Sequence, residues 1–144
     1  MKLNSEITGF TLVELLFTIA IIAILCGIAI PSYNHYVHKA KRMDAKTALL
    51  DLSARLERYY TQYQTYASAT LASGQKTTDI LDSAVTPEGL YKLSITHQEA
   101  TRFTIKATPI EGKSQAKDTT CDSFILDSLG QKSITGEGDV TDCW

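Results

Sequence analysis

The chain has 144 residues, 44% hydrophobic and 21% charged, enough for one modest globular domain and too short for a large multidomain enzyme. Its 14 Lys and Arg stand against 16 Asp and Glu, a formal net charge of −2. The overall basic balance of most nucleic-acid domains is therefore missing, and any DNA binding requires a local patch.

The first element is a polar leader, MKLNSEITG, followed by residues 10–30, nearly all Ala, Val, Ile, Leu, Phe or Cys. As a helix those 21 residues extend about 31 Å, the thickness of a bilayer core. A secretory signal has a shorter apolar stretch closed by a small-residue cleavage site, whereas here Pro31, Ser32, Tyr33 and Asn34 lead into an amphipathic pattern. The amino terminus and Lys2 favour a cytoplasmic leader and an exterior remainder. Lys39, Lys41, Arg42 and Lys46 after the span oppose that orientation, while two late cysteines favour an oxidising exterior. Glu14 is the anomaly, because a carboxylate in hydrocarbon is costly and signals a partner or a function. Either it sits shallow among headgroups, or a cut after Gly9 places a new amine on Phe10, four residues away on the same helical face. In a bundle of such helices, amines and carboxylates of neighbours then neutralise each other and Glu14 favours one register.

Beyond Pro31, apolar positions recur at three-and-four spacing through Ala45, Ala48, Leu49, Leu52, Leu56, Tyr59, Tyr60 and Tyr63, so the helix is predicted to run to about Tyr63. Pro31 lacks an N–H and crowds the preceding turn, and Gly27 lies four residues earlier, so a kink or local loosening is expected there. It serves either to unwind the helix as subunits pack or simply as an ordinary kink. Residues 64–89 show no sustained period and read as a connecting loop. Then Tyr91, Leu93 and Ile95 alternate, as do Phe103, Ile105 and Ala107, and Phe124 and Leu126, with a turn at residues 127–130 and a short strand at 131–134. Three or four antiparallel strands result, an α+β head. So few residues make a poor independent core, so the helix face of Leu49, Leu52 and Leu56 is expected to pack on the sheet.

Cys26 lies in the apolar span and reads as a small buried apolar residue. In an oxidising compartment Cys121 and Cys143 are expected to pair as a disulfide, the alternative being free thiols. Paired, they remove roughly 3 kcal/mol of unfolded-state entropy. The loop at 133–142 carries Glu137, Asp139 and Asp142, either an acidic contact face or a solvated turn. His35 and His38 are three apart with no third ligand nearby, and His97 falls near a strand end, so no metal is expected. There is no Ser-His-Asp order, nucleotide-binding glycine loop or paired-carboxylate motif, so neither enzyme activity nor a cofactor is expected. The group Lys39, Lys41, Arg42 and Lys46 suits acids of neighbouring subunits, then lipid headgroups, then DNA phosphate. Lys92, Arg102, Lys106, Lys113 and Lys117 form a second scatter that binds DNA or acids only if it clusters on one edge. The tyrosines at 59, 60, 63 and 66 fit packing of the helix end against its loop better than a stacking surface.

The segment GFTLVELLFTIAIIAILCGIAIP, residues 9–31, resembles the prepilin signature of type IV pilins and of the pseudopilins of type II secretion. The stretch ERYYTQYQTYASATL and the ending CDSFILDSLGQKSITGEGDVTDCW resemble PilE-like type IV minor pilins, and pseudopilins often lack such a closing cysteine pair. The resemblance implies a ladle-shaped fold divided into a cleaved leader 1–9, a transmembrane and polymerisation helix 10–31, an amphipathic helix 32–63 and a head 64–144. It makes the segment between Cys121 and Cys143 similar to the pilin D-region. It implies cutting after Gly9 and methylation of Phe10 by a prepilin peptidase, and a registry role for Glu14. An inner-membrane assembly platform and other pilin subunits are the implied partners. The implied location is the inner membrane as a single-pass precursor with a periplasmic head, then an extracellular pilus. The function implied is that of a structural, minor pilus subunit. The alternatives are a DNA-binding or adhesive pilin and a type II secretion pseudopilin.

Overall fold

The computed structural model describes residues 9–144, so the leader assigned to 1–9 lies outside the described residues except for Gly9, as does the side chain of Pro31. Helix α1, Leu12–Tyr63, is followed by strands β1, Tyr91–Gln98, and β2, Phe103–Pro109, and by a 3-10 turn at Ser114–Lys117. Strands β3, Ser123–Asp127, and β4, Lys132–Thr135, and a short helix α2, Val140–Cys143, complete the chain. It divides into two compact units, Met1–Tyr36 and Val37–Trp144, and α1 contributes to both.

In the first unit the helix is apolar on every side and its large side chains are exposed, from Ile19 at 52% to Phe10 at 84%. A helix apolar all round is stable only when something covers it, and α1 is long and apolar enough to cross a membrane. The helical assignment passes through both Gly27 and Pro31 without interruption. The expected loosening therefore does not break α1; the missing Pro31 donor removes one hydrogen bond, to the Gly27 carbonyl.

In the second unit the four strands form one antiparallel meander in the order β1-β2-β3-β4. Tyr91 faces Pro109, Ile105 faces both Ile95 and Leu126, and Phe124 faces Ile134. Strand alternation puts Tyr91, Leu93, Phe103, Ile105, Ala107, Phe124 and Leu126 on one face, and all are buried. That face packs in one core with Ala45, Leu49, Leu52, Leu56 and Tyr59 of α1. Each large side chain so buried contributes about 1.5–3 kcal/mol, and the helix supplies the half-core that the short head lacks.

Two details differ from the sequence expectation. The last strand is Lys132–Thr135 rather than 131–134, because the Thr135 carbonyl accepts the Asp122 amide at 2.9 Å and its hydroxyl donates to Asp122 Oδ2 at 2.9 Å. The loop expected at 133–142 shrinks accordingly, since β4 takes its first residues and α2 its last. What remains is pressed against the chain before β3: a Cβ at Gly136 would lie 2.6 Å from the Thr120 carbonyl, and its φ of +125° is open only to glycine. The long loop after α1 is organised by Asp79, whose carboxylate accepts the hydroxyls of Thr70 at 2.6 Å and Ser73 at 2.7 Å and the Gly74 amide at 2.8 Å. The Thr70 hydroxyl leads the bonds that hold this carboxyl down at about 2.

Candidate functional site

Gly9 and Phe10 lie just before α1, exposed and outside any regular element. Thr11 caps the helix. Its hydroxyl accepts the Glu14 amide at 3.3 Å, while Glu14 Oε2 accepts the Thr11 amide at 2.9 Å and the Thr11 hydroxyl at 2.8 Å. This reciprocal arrangement is a capping box. The T-x-x-E pattern stands in the sequence at residues 11–14, but neither reading of Glu14, among headgroups or against a neighbour's amine, used it.

In the head, Cys121 and Cys143 form a disulfide with Cα atoms 5.7 Å apart, enclosing β3, β4 and most of α2. Just ahead of it, the connection between β2 and β3 is bolted to α1. Arg42 Nε and Nη2 donate to the two oxygens of Asp118 at 2.7 and 2.9 Å, with both side chains about 4% exposed. Asp118 Oδ1 also accepts the Cys121 amide at 3.3 Å. Burial pulls the Asp118 carboxyl upward, but its hydrogen bond and charge attraction to Arg42 lead the opposing effects and hold it below the ordinary value. Gln115, fully buried, donates to the Tyr91 hydroxyl at 2.9 Å and to the His38 carbonyl at 3.3 Å, and its Oε1 meets His38 Nδ1 at 2.9 Å.

These contacts correct the reading of the first basic group. Arg42 is spent inside its own chain, and Lys41 donates to Ser114 Oγ at 3.0 Å; partners 73 and 76 residues away left no trace in the local pattern. His38 is likewise occupied, and among the described residues no group of three or more His, Cys, Asp or Glu is placed to hold a metal. The tyrosines clamp the helix end. Tyr66 stacks on Tyr60 at 4.6 Å, meets the edge of Phe103 at 4.9 Å and donates to Glu57 at 2.9 Å, and the Tyr59 hydroxyl pairs with Ser68.

The second basic scatter falls into three places. Lys92 and Lys106 share the outward face of β1 and β2, because Lys92 is opposite Thr108 and Ser94 opposite Lys106; such diagonal neighbours lie about 7–8 Å apart. On β1 and β2 the outward positions around them, Ser94, His97, Thr104 and Thr108, carry no carboxylate, while on the adjoining β3 Asp127 stands opposite Thr104, diagonal to Lys106. Arg102 is in the β1–β2 turn just before β2, Lys113 precedes the 3-10 turn and Lys117 is its last residue. Among the described residues none of the five is in an ion pair.

The head and its helix have a solved counterpart in the non-core minor pilin PilV of Neisseria meningitidis, with a TM-score of 0.53 over 70% of this chain and 89% of that one at 18% identity. The fold is thus that of a type IV pilin, the class of subunit from which type IV pili are built. The type IV major pilin protein PilA of Myxococcus xanthus is 35% identical over 46% of this chain and 30% of its own length. A fimbrial protein of Neisseria meningitidis is 32% identical over 54% of this chain and 46% of its own. The chain spans less than half the length of these curated relatives. The prokaryotic N-terminal methylation motif matches residues 7–30. Residues 31–125 match the family described as type IV minor pilin ComP, DNA uptake sequence receptor, and the chain belongs to that family.

Proposed function

We propose that this pilin is a minor pilus subunit whose head binds DNA at the cell surface. As a precursor it spans the inner membrane once, with the head in the periplasm. A prepilin peptidase cuts after Gly9 and methylates Phe10, and the assembly platform extracts the subunit into the fibre through α1. The methylation-motif match over residues 7–30 supports the processing steps. In the fibre, Glu14 meets the amine of a neighbouring subunit, and the freed Gly27 carbonyl below Pro31 marks where α1 yields under packing.

The observation that carries the DNA reading is the match of residues 31–125 to the DNA uptake sequence receptor family. Lys92 and Lys106 suit that role, since two cations among hydroxyls on an outward sheet face address phosphate without a competing acid on the same strands. The full chain in nonionic detergent is expected to bind a fluorescent DNA duplex at low salt and to release it as salt rises. The Lys92→Gln/Lys106→Gln variant should bind more weakly, with a salt slope shallower by roughly 1.8, about 0.9 for each phosphate contact. Absence of binding at low salt overturns the reading.

A further inference from the structure

One turn before Arg42 on α1, His38 begins a chain of polar side chains that continues through Gln115 of the 3-10 turn to Tyr91 of β1. Gln115 stands in the middle with both ends of its amide engaged. The nitrogen lies 2.9 Å from the Tyr91 hydroxyl and 3.3 Å from the His38 carbonyl, and the oxygen lies 2.9 Å from His38 Nδ1. Gln115 and Tyr91 are fully buried, whereas His38 is half-buried. Among the described residues the imidazole bonds no other group.

The bonds in this chain have a direction. With the amide nitrogen toward Tyr91, the amide oxygen only accepts, so His38 carries a proton on Nδ1. The Tyr91 hydroxyl then accepts from Gln115, and among the described residues its own hydrogen meets no acceptor. Burial pushes that hydroxyl up to about 12, so it keeps its proton. Turning the amide over exchanges its two ends. The Tyr91 hydroxyl then donates to the amide oxygen, and the amide nitrogen donates to a bare Nδ1, that of a neutral imidazole protonated on Nε2. The turn gives up the bond to the His38 carbonyl and sets two oxygens there instead, but that carbonyl already accepts the Arg42 amide within α1. Each arrangement leaves one buried hydrogen without an acceptor, the hydroxyl's in the first and one of the amide's in the second. Pairing is therefore balanced, and charge breaks the balance: both nitrogens of an imidazolium donate, so it admits the first arrangement alone.

We propose that His38, Gln115 and Tyr91 form a proton-operated latch: an imidazolium holds the Gln115 amide to α1 through both the His38 ring and the His38 carbonyl, and a neutral imidazole releases the amide to turn and accept the Tyr91 hydroxyl. Acid thus adds a tie between α1 and the 3-10 turn, and neutrality moves that tie to β1. The charged groups around the latch leave the imidazole to Gln115. On α1, Lys41 is turned to Ser114 and Arg42 to Asp118, His35 is exposed three residues earlier, and Asp44 is taken by Thr86 and the Glu88 amide. On the turn, Lys117 is exposed, and Asp118, which senses the His38 charge, gives both oxygens to Arg42.

The test is an NMR titration of the full chain in nonionic detergent, with histidine ring nitrogens and glutamine side-chain amides labelled with nitrogen-15 and the His38 signals identified by their loss in His38→Gln. Between about pH 5 and 8, where imidazoles titrate, Nδ1 of His38 should pass from protonated to bare while Nε2 keeps its proton. The Gln115 amide signal should move with the same midpoint. Tyr91→Phe removes the hydroxyl that the turned amide accepts, so in this variant neutral His38 should keep its proton on Nδ1. If His38 of the wild type already keeps that proton when neutral, the amide does not turn and the proposal falls. It falls equally if Tyr91→Phe titrates as the wild type does. The wild-type titration decides the matter by itself should the variant not fold.

Discussion

Glu14 has two possible tasks at the residue scale, and they separate by charge. The capping box needs only an oxygen acceptor at Glu14 to receive the Thr11 amide, whereas neutralising a neighbour's amine needs the negative charge. Glu14→Gln keeps an acceptor and loses the charge; Glu14→Ala loses both, at about 1 kcal/mol in the helix start. If registry is the task, both variants should fall well below wild type in sheared fibres, read by mass spectrometry of the processed amino-terminal peptide. If capping is the task, the glutamine variant should be incorporated normally. Arg42 and Asp118 form a second residue-scale case. Removing one partner of a buried pair leaves an uncompensated charge, so Arg42→Met or Asp118→Asn should each cost about 3–5 kcal/mol in urea unfolding, and Arg42→Met/Asp118→Leu less than the two together. The pair also sets a pH limit. Because the folded Asp118 is held below its ordinary 3.8, its contribution is complete above that value and is lost as pH falls through the lowered folded value. Acid unfolding of wild type should steepen below pH 3.8, and Asp118→Asn should flatten that part of the curve.

At the scale of elements, α1 is where sequence and structure agree most closely. Its end at Tyr63 and its buried face at Leu49, Leu52 and Leu56 follow from three-and-four spacing. The strands were legible in the same way, through Tyr91 and Leu93, Phe103 and Ile105, and Phe124 and Leu126. What stayed hidden is how the elements are fastened. Gln115 bridging His38 and Tyr91, Asp118 receiving Arg42, and Lys46 reaching Trp144 join residues far apart in the chain. Polar pairing of that kind imposes no period on either segment. The disulfide is the covalent member of this set: it joins cysteines 22 positions apart and encloses the β3–β4 hairpin. Cys121→Ser/Cys143→Ser should lower unfolding stability by roughly 3 kcal/mol. Under reduction the Arg42–Asp118 tie should hold the residues before β3 in place while β4 and α2 exchange hydrogen faster.

For the whole molecule, composition pointed away from nucleic acid because it averages over the chain. The net charge of −2 conceals that Lys92 and Lys106 share one sheet face, while Arg42, a formal cation, is neutralised inside its own chain. Sequence order could not sort these, since strand register decides which cations meet and tertiary pairing decides which are neutralised. The class of the molecule was readable from residues 9–31; the surfaces it presents had to wait for the sheet.

The meander has a consequence in time as well as in shape. Each strand pairs with the strand next to it in sequence, through connections of a few residues between β1 and β2 and between β3 and β4. Short loop closures cost little entropy and form early, whereas contacts across 76 residues, such as Arg42 to Asp118, close late. Strand pairing can therefore begin before the helix arrives, and docking of Leu49, Leu52 and Leu56 onto the sheet is the step that supplies the missing half of the core. The head is then complete without the first half of α1, which contributes no residue to its core.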